Sequence, residues 1–151
     1  MNNLYNVLDE LRDNLILSSF TNTVTFGEIS DIDLDKLTNF PLVHLVLEDA
    51  IIDENTIDFT LNVIAADIVD VSKEVASDEF LGNNNLQDIL NAQLKVITDI
   101  VNFFRRNDKV SSNFITIENT VRATPFLERF NNQLAGWEAS IQLRTRMQDK
   151  C

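Results

Sequence analysis

Leu4, Leu8, Leu11 and Leu15 recur at three- and four-residue spacing with Asp9, Arg12, Asp13 and Asn14 between them. Residues 3–18 are therefore predicted to form an amphipathic helix. The period then shortens. Between Phe20 and Ile29, Val24 and Phe26 alternate with Thr23 and Thr25, which predicts a first strand, and residues 30–39 form an acidic loop ending at Phe40-Pro41. Residues 42–52 are nearly all apolar and rich in β-formers. Residues 56–66 alternate, with Ile57, Phe59, Leu61 and Val63 on one face and Asp58, Thr60 and Asn62 on the other. Asp53-Glu54-Asn55 between the two runs has turn chemistry, so the pair is predicted to be a long antiparallel hairpin with one face buried and one wet.

Residues 67–85 are polar, acidic and aperiodic, a long loop for a small domain. Asn84 or Asn85 can then cap a helix. In it Leu86, Ile89, Leu90, Leu94 (or Gln93), Ile97, Ile100, Val101 and Phe104 make one apolar stripe that closes at Arg105-Arg106-Asn107. Cations suit that end of the helix dipole. At 1.5 Å per residue, a helix of about 22 residues is roughly 33 Å long, enough to cross a sheet. Residues 114–118 read as another strand. Residues 126–134 fit a helix through Phe126, Phe130 and Leu134, or a strand through Leu127 and Arg129 with an Asn-Asn turn. Gly136 breaks the pattern, and residues 137–146 alternate again as the final strand. The expectation is an α+β fold in a single domain, residues 1–151: an antiparallel sheet with a long hairpin, packed by an N-terminal helix and one long central helix. Trp137, Phe104 and Phe59 are its expected core anchors.

Composition narrows the class. Hydrophobic residues at 44% and charged residues at 24% describe an ordinary globular chain, and three glycines and two prolines leave no room for linkers. No apolar run approaches the roughly 20 residues that span a bilayer, and the first residues lack the basic start and apolar middle of a signal peptide. Cys151, the only cysteine, permits no internal disulfide and no cysteine-based metal cluster, which suits an intracellular, reducing origin. Charge is split along the chain. Residues 1–100 carry 19 acids against four Lys and Arg, a balance of −15; residues 101–151 carry five acids against eight, +3, within a total of −12. Such a balance disfavours a nucleic-acid groove, and the split suits head-to-tail association with further copies.

Candidate chemistry is sparse. Asp31-Ile32-Asp33-Leu34-Asp35 resembles the start of a calcium-binding EF-hand loop, but Lys36 stands where glycine is needed and Leu42 where a bidentate Glu is needed. A solvated acidic loop is the better reading. His44, the single histidine, lies in an apolar run with no Ser or Cys motif, and is expected to be structural, on the wet face or at an interface. Gly27, Gly82 and Gly136 are too scattered for a phosphate loop. No catalytic residue, cofactor site or metal site is expected, and the chain does not read as an enzyme. The residues expected at a subunit interface are Arg105, Arg106, Lys109 and Arg129 on the basic side and Asp67 and Asp70 on the acidic side.

The N-terminal helix, the Phe40-Pro41 entry into the apolar strand Leu42-Val43-His44-Leu45, the alternating strand running into an acidic loop from Phe59 to Asp70, and the long helix with a basic end together resemble the neck and tail-completion proteins of tailed bacteriophages, tail terminators above all. The ending, from Leu134-Ala135-Gly136-Trp137-Glu138 to Asp149-Lys150-Cys151, resembles virion proteins of Bacteroidetes-infecting phages. The resemblance covers nearly the whole chain through patterns of low specificity. It implies a late structural protein made in the host cytoplasm and built into the virion at the head–tail junction. There it would form a cyclic homo-oligomer, a hexamer by preference, that caps the tail tube and meets the head-side connector. DNA would pass through without specific binding, and no membrane is involved. The competing readings are an enzyme or small-molecule binder on a dimeric α+β scaffold, and a non-catalytic adaptor or inhibitor whose acidic surface engages a basic partner.

Overall fold

A computed structural model of the protein describes residues 3–28, 40–69, 80, 85–106, 115–117, 119–128 and 134–146. Helix α1 (Asn3–Ile16) is followed by strands β1 (Thr23–Phe26), β2 (Leu42–Ile52) and β3 (Thr56–Ile68), helix α2 (Leu86–Arg105), and strands β4 (Ala123–Glu128) and β5 (Leu134–Arg146). The strands form one sheet in the order β1-β2-β3-β5-β4, an α+β architecture. The sheet is mixed, not purely antiparallel as expected, because β1 runs parallel to β2. Acceptance of the Asn22 and Thr23 N–H groups by the Pro41 carbonyl, at 2.8 and 3.3 Å, sets that junction.

The hairpin forms as the alternation predicts, with Ile52 opposite Ile57 at its tip. Asp53 builds the turn: its N–H donates to the Thr56 carbonyl at 2.9 Å, and its carboxylate accepts from the Glu54 N–H at 2.7 Å. Inward-facing Ile57, Phe59, Leu61, Val63 and Ala65 of β3 and Ala139, Ile141 and Leu143 of β5 pack under Val96, Ile97, Ile100, Val101 and Phe104 of α2 and Val7, Leu11 and Leu15 of α1. Burying each large aliphatic or Phe side chain contributes ~1.5–3 kcal/mol. Phe104 and Phe59 stand in this core as expected, whereas Trp137 is half-buried at its flank and donates its indole N–H to the Leu90 carbonyl of α2 at 2.7 Å.

Several expectations are corrected. The far face of β3 is not simply wet: Ile64 and Ala66 join Leu42, Phe126 and Leu134 in a second buried cluster, and Asp58 and Asn62 are themselves buried. Gly136 does not interrupt the last strand, which starts two residues earlier at Leu134. Glycine is required there because a Cβ would lie 1.9 Å from the Ala65 carbonyl oxygen. Of residues 114–118, those described make a single bridge, Thr116 to Arg144, and no strand. Residues 123–128 are strand, and 129–133 lie outside the described residues. In α2 the buried position is Gln93, while Leu94 is exposed. Asn85 takes the N-cap position but makes no side-chain cap; its amide donates instead to the Ile68 carbonyl at 3.2 Å, tying the helix start to the end of β3.

Candidate functional site

Strand alternation assigns the sheet's outer face, the one away from the helices. Its half nearest Leu42 and Ile68 is the apolar second cluster. Its half nearest the hairpin tip is polar and carries the candidate site. There Asp58 receives a two-pronged bond from Arg144, at 2.9 Å from Nε and 3.1 Å from Nη2. Asn62 donates to Glu138 at 3.1 Å, Ser140 reaches Glu48 at 3.5 Å, and the Asn119 amide donates to Gln142. Glu48, Asn62, Arg122, Thr124, Glu138 and Ser140 line an open groove of about 360 Å³.

The distal half of β2 is the least covered part of the hairpin. β1 pairs with β2 only from Leu42 to Leu45, and among the described residues nothing pairs with that edge beyond Leu45. From Glu48 to Ile52 every side chain is exposed, including Ile51 at 53% and Ile52 at 71%. A bulge between Leu47 and Asp49 interrupts the ladder and brings Glu48 and Asp49 side by side.

The expected interface residues are not gathered in one place. Arg105 and Arg106 are exposed at the C-terminal end of α2, where Arg105 donates to the Asn119 carbonyl at 2.9 Å. Asp67 lies near the end of β3, beside the start of α2, so the length of the helix, ~30 Å at 1.5 Å per residue, separates it from the arginines. Lys109, Arg129 and Asp70 lie outside the described residues, as do residues 31–36 of the acidic loop and Cys151. Nor do the two differently charged portions of the sequence form two lobes. β5 pairs with β3 at thirteen positions in the middle of the sheet, and Arg144 is bonded to Asp58 within the chain. Sequence reasoning missed the Asp58–Arg144 pair and the open β2 edge, since both depend on strand order, which periodicity does not encode.

Asp67 is half-buried, and burial raises its carboxyl above the usual 3.8 despite a bond from the Ile68 N–H at 2.8 Å, which pulls it down. Ionised Asp67 thus costs native stability at neutral pH. That cost disappears as pH falls through the raised value toward 3.8, because the protonated form is then common to the folded and unfolded chains. Asp67→Asn, which retains the acceptor for Ile68, is expected to raise Tm at pH 7 and to lose that advantage near pH 4, as read from thermal melts across the range. A lower Tm at pH 7 would contradict this account.

His44 is structural but not wet. It is fully buried, with Nδ1 2.7 Å from the Thr25 hydroxyl and Nε2 2.7 Å from the Glu28 carbonyl oxygen. The Glu28 carbonyl can only accept, so Nε2 donates to it, and with Nδ1 paired to the Thr25 hydroxyl His44 fastens β1 and its exit to β2. Among the described residues no three His, Cys, Asp or Glu side chains could hold a metal ion together, and no helix is long and apolar enough to cross a membrane. The sequence matches no family model, and no curated protein matches it.

Proposed function

We propose that this chain is a structural, non-enzymatic virion protein of a tailed phage, forming a ring at the head–tail junction that terminates the tail tube and joins it to the head-side connector. The observation that carries the reading is a sheet whose β2 edge, unpaired beyond Leu45 among the described residues, bears exposed Asp49, while exposed Arg105, bonded to the Asn119 carbonyl, stands on the β4 side. Head-to-tail association of such subunits places unlike charges in contact at every junction. The layout shared with tail terminators supports the station in the virion. An acidic wall would let DNA slide past without adhering.

Negative-stain microscopy of the purified protein, alone and mixed with tail tubes, tests the reading. Uniform rings, hexameric by preference and seated at one end of the tubes, are expected. Monomers or dimers that leave the tubes unchanged would contradict it and favour the dimeric adaptor, for which the acidic tip of Glu48, Asp49, Asp53 and Glu54 would be the surface that meets a basic partner.

A further inference from the structure

We propose that the open groove on the outer face of the sheet binds a small zwitterion, a molecule with an ammonium group at one end and a carboxylate at the other. Glu48 and Asn62 receive the ammonium, and Arg122 receives the carboxylate. Such binding goes beyond the ring and does not depend on it, because one chain supplies the whole lining.

Strand order assembles this lining. Glu48 comes from β2, Asn62 from β3, Glu138 and Ser140 from β5 and Thr124 from β4, with Arg122 in the residue before that strand. In the ladder Asn62 stands opposite Ser140, and Thr124 opposite Glu138. The bulge between Leu47 and Asp49 takes Glu48 out of register, and its carboxylate lies 3.5 Å from the Ser140 hydroxyl on the outer face. Bulges re-aim side chains in this way. Asn62 is 9% exposed. Its Nδ2 donates to the Glu138 carboxylate, which sets the amide orientation and leaves Oδ1 without a partner among the described residues. Arg122 also makes no hydrogen bond or ion pair among the described residues, although it shares the groove with two carboxylates. Three strand spacings, ~14 Å in all, lie between the backbones of β2 and β4. Glu48 and Arg122 therefore stand at the two ends of the groove and leave each other's charge unmet.

The mixed signs select the class of ligand. A simple cation would gain Glu48 but meet the guanidinium of Arg122, and a simple anion would gain Arg122 but meet Glu48 and Glu138. The net charge of −12 repels an anion further. A zwitterion lying across the strands satisfies both ends at once. Its ammonium donates to the Glu48 carboxylate and to Asn62 Oδ1, and its carboxylate accepts two parallel bonds from the Arg122 fork. The Thr124 and Ser140 hydroxyls line the path between and can turn to donate or accept. A volume of about 360 Å³ suits a small molecule. The lining holds no aromatic ring on which a nucleobase would stack.

Titration calorimetry on the full chain tests the site, with 6-aminohexanoate as the probe and hexanoate and hexylamine as its singly charged counterparts. Saturable binding of 6-aminohexanoate is expected, with either counterpart at least about tenfold weaker, since each forfeits the charge-assisted bonds of one end. Arg122→Gln and Glu48→Gln, both at exposed positions and checked for native circular dichroism, should each weaken the zwitterion by a similar factor. Thr60→Ala, on the same face but outside the lining, should leave binding unchanged. Absence of saturable 6-aminohexanoate binding would overturn the proposal. Equal binding of hexylamine would overturn it in favour of a plain acidic patch, and equal binding by Arg122→Gln would remove the anionic end of the site.

Discussion

Gly136→Ala is expected to be the most damaging single methyl group that can be added to this fold. Gly136 lies in β5 opposite Ala66, and a Cβ there would stand 1.9 Å from the Ala65 carbonyl oxygen and 2.9 Å from the Ala66 Cα. Both obstacles are backbone atoms of the neighbouring strand, so no rotamer change relieves the contact. Strands β3 and β5 would have to part at the centre of the sheet, next to Leu42, Phe126 and Leu134 of the second core. Overpacking typically costs 1–3 kcal/mol, and a backbone clash belongs at about 3 kcal/mol or above. Against a total stability of ~5–15 kcal/mol, that is a large fraction. The expected readout is a lower midpoint in urea with a reduced soluble yield. A midpoint equal to the parent's would mean that the two strands do not approach as described.

Phe104→Ala is expected to cost ~3–5 kcal/mol by leaving a cavity under the last turn of α2. Phe104 is completely buried, stacked edge-on against Phe103 with ring centroids 5.1 Å apart, and belongs to the core cluster that joins α2 to β3, β5 and α1. For a chain of this size 1 kcal/mol moves Tm by about 2–4 °C, so a fall of roughly 10 °C is anticipated in calorimetry. The neighbouring Arg105 and Arg106 would lose their firm base, so the variant should also assemble less well. A Tm within a degree or two of the parent's would show that α2 does not anchor the domain through this ring.

The elements were legible where one period dominated. The leucine spacing in α1, the alternation in β3 and the stripe of α2 each have a buried face that only one secondary structure can align. What stayed hidden depends on neighbours distant in sequence. His44 reads as a polar interruption of an apolar strand until Thr25 and the Glu28 carbonyl are seen to satisfy both ring nitrogens. Gly136 reads as a breaker because composition cannot reveal that β3 passes too close for any side chain. Buried Asp58 needs Arg144, eighty-six residues later, to explain it. The split of charge along the sequence was visible, but strand order interleaves its two portions, so that Arg144 pairs with Asp58 and Arg122 lines a groove with Glu48 and Glu138. Asp67 and the α2 arginines stand at opposite ends of the helix, a separation that periodicity alone does not reveal.

Native mass spectrometry of the purified chain over rising ionic strength bears most directly on the central claim, self-association into a closed ring through unlike charges. The account predicts one dominant closed stoichiometry, six by preference. Assembly should slow as salt passes ~0.15 M, where charges more than about 8 Å apart are screened, and Arg106→Glu combined with Arg122→Glu should shift the population to folded monomer. A monomer or dimer at every ionic strength, or undiminished rings from the doubly reversed variant, would contradict it.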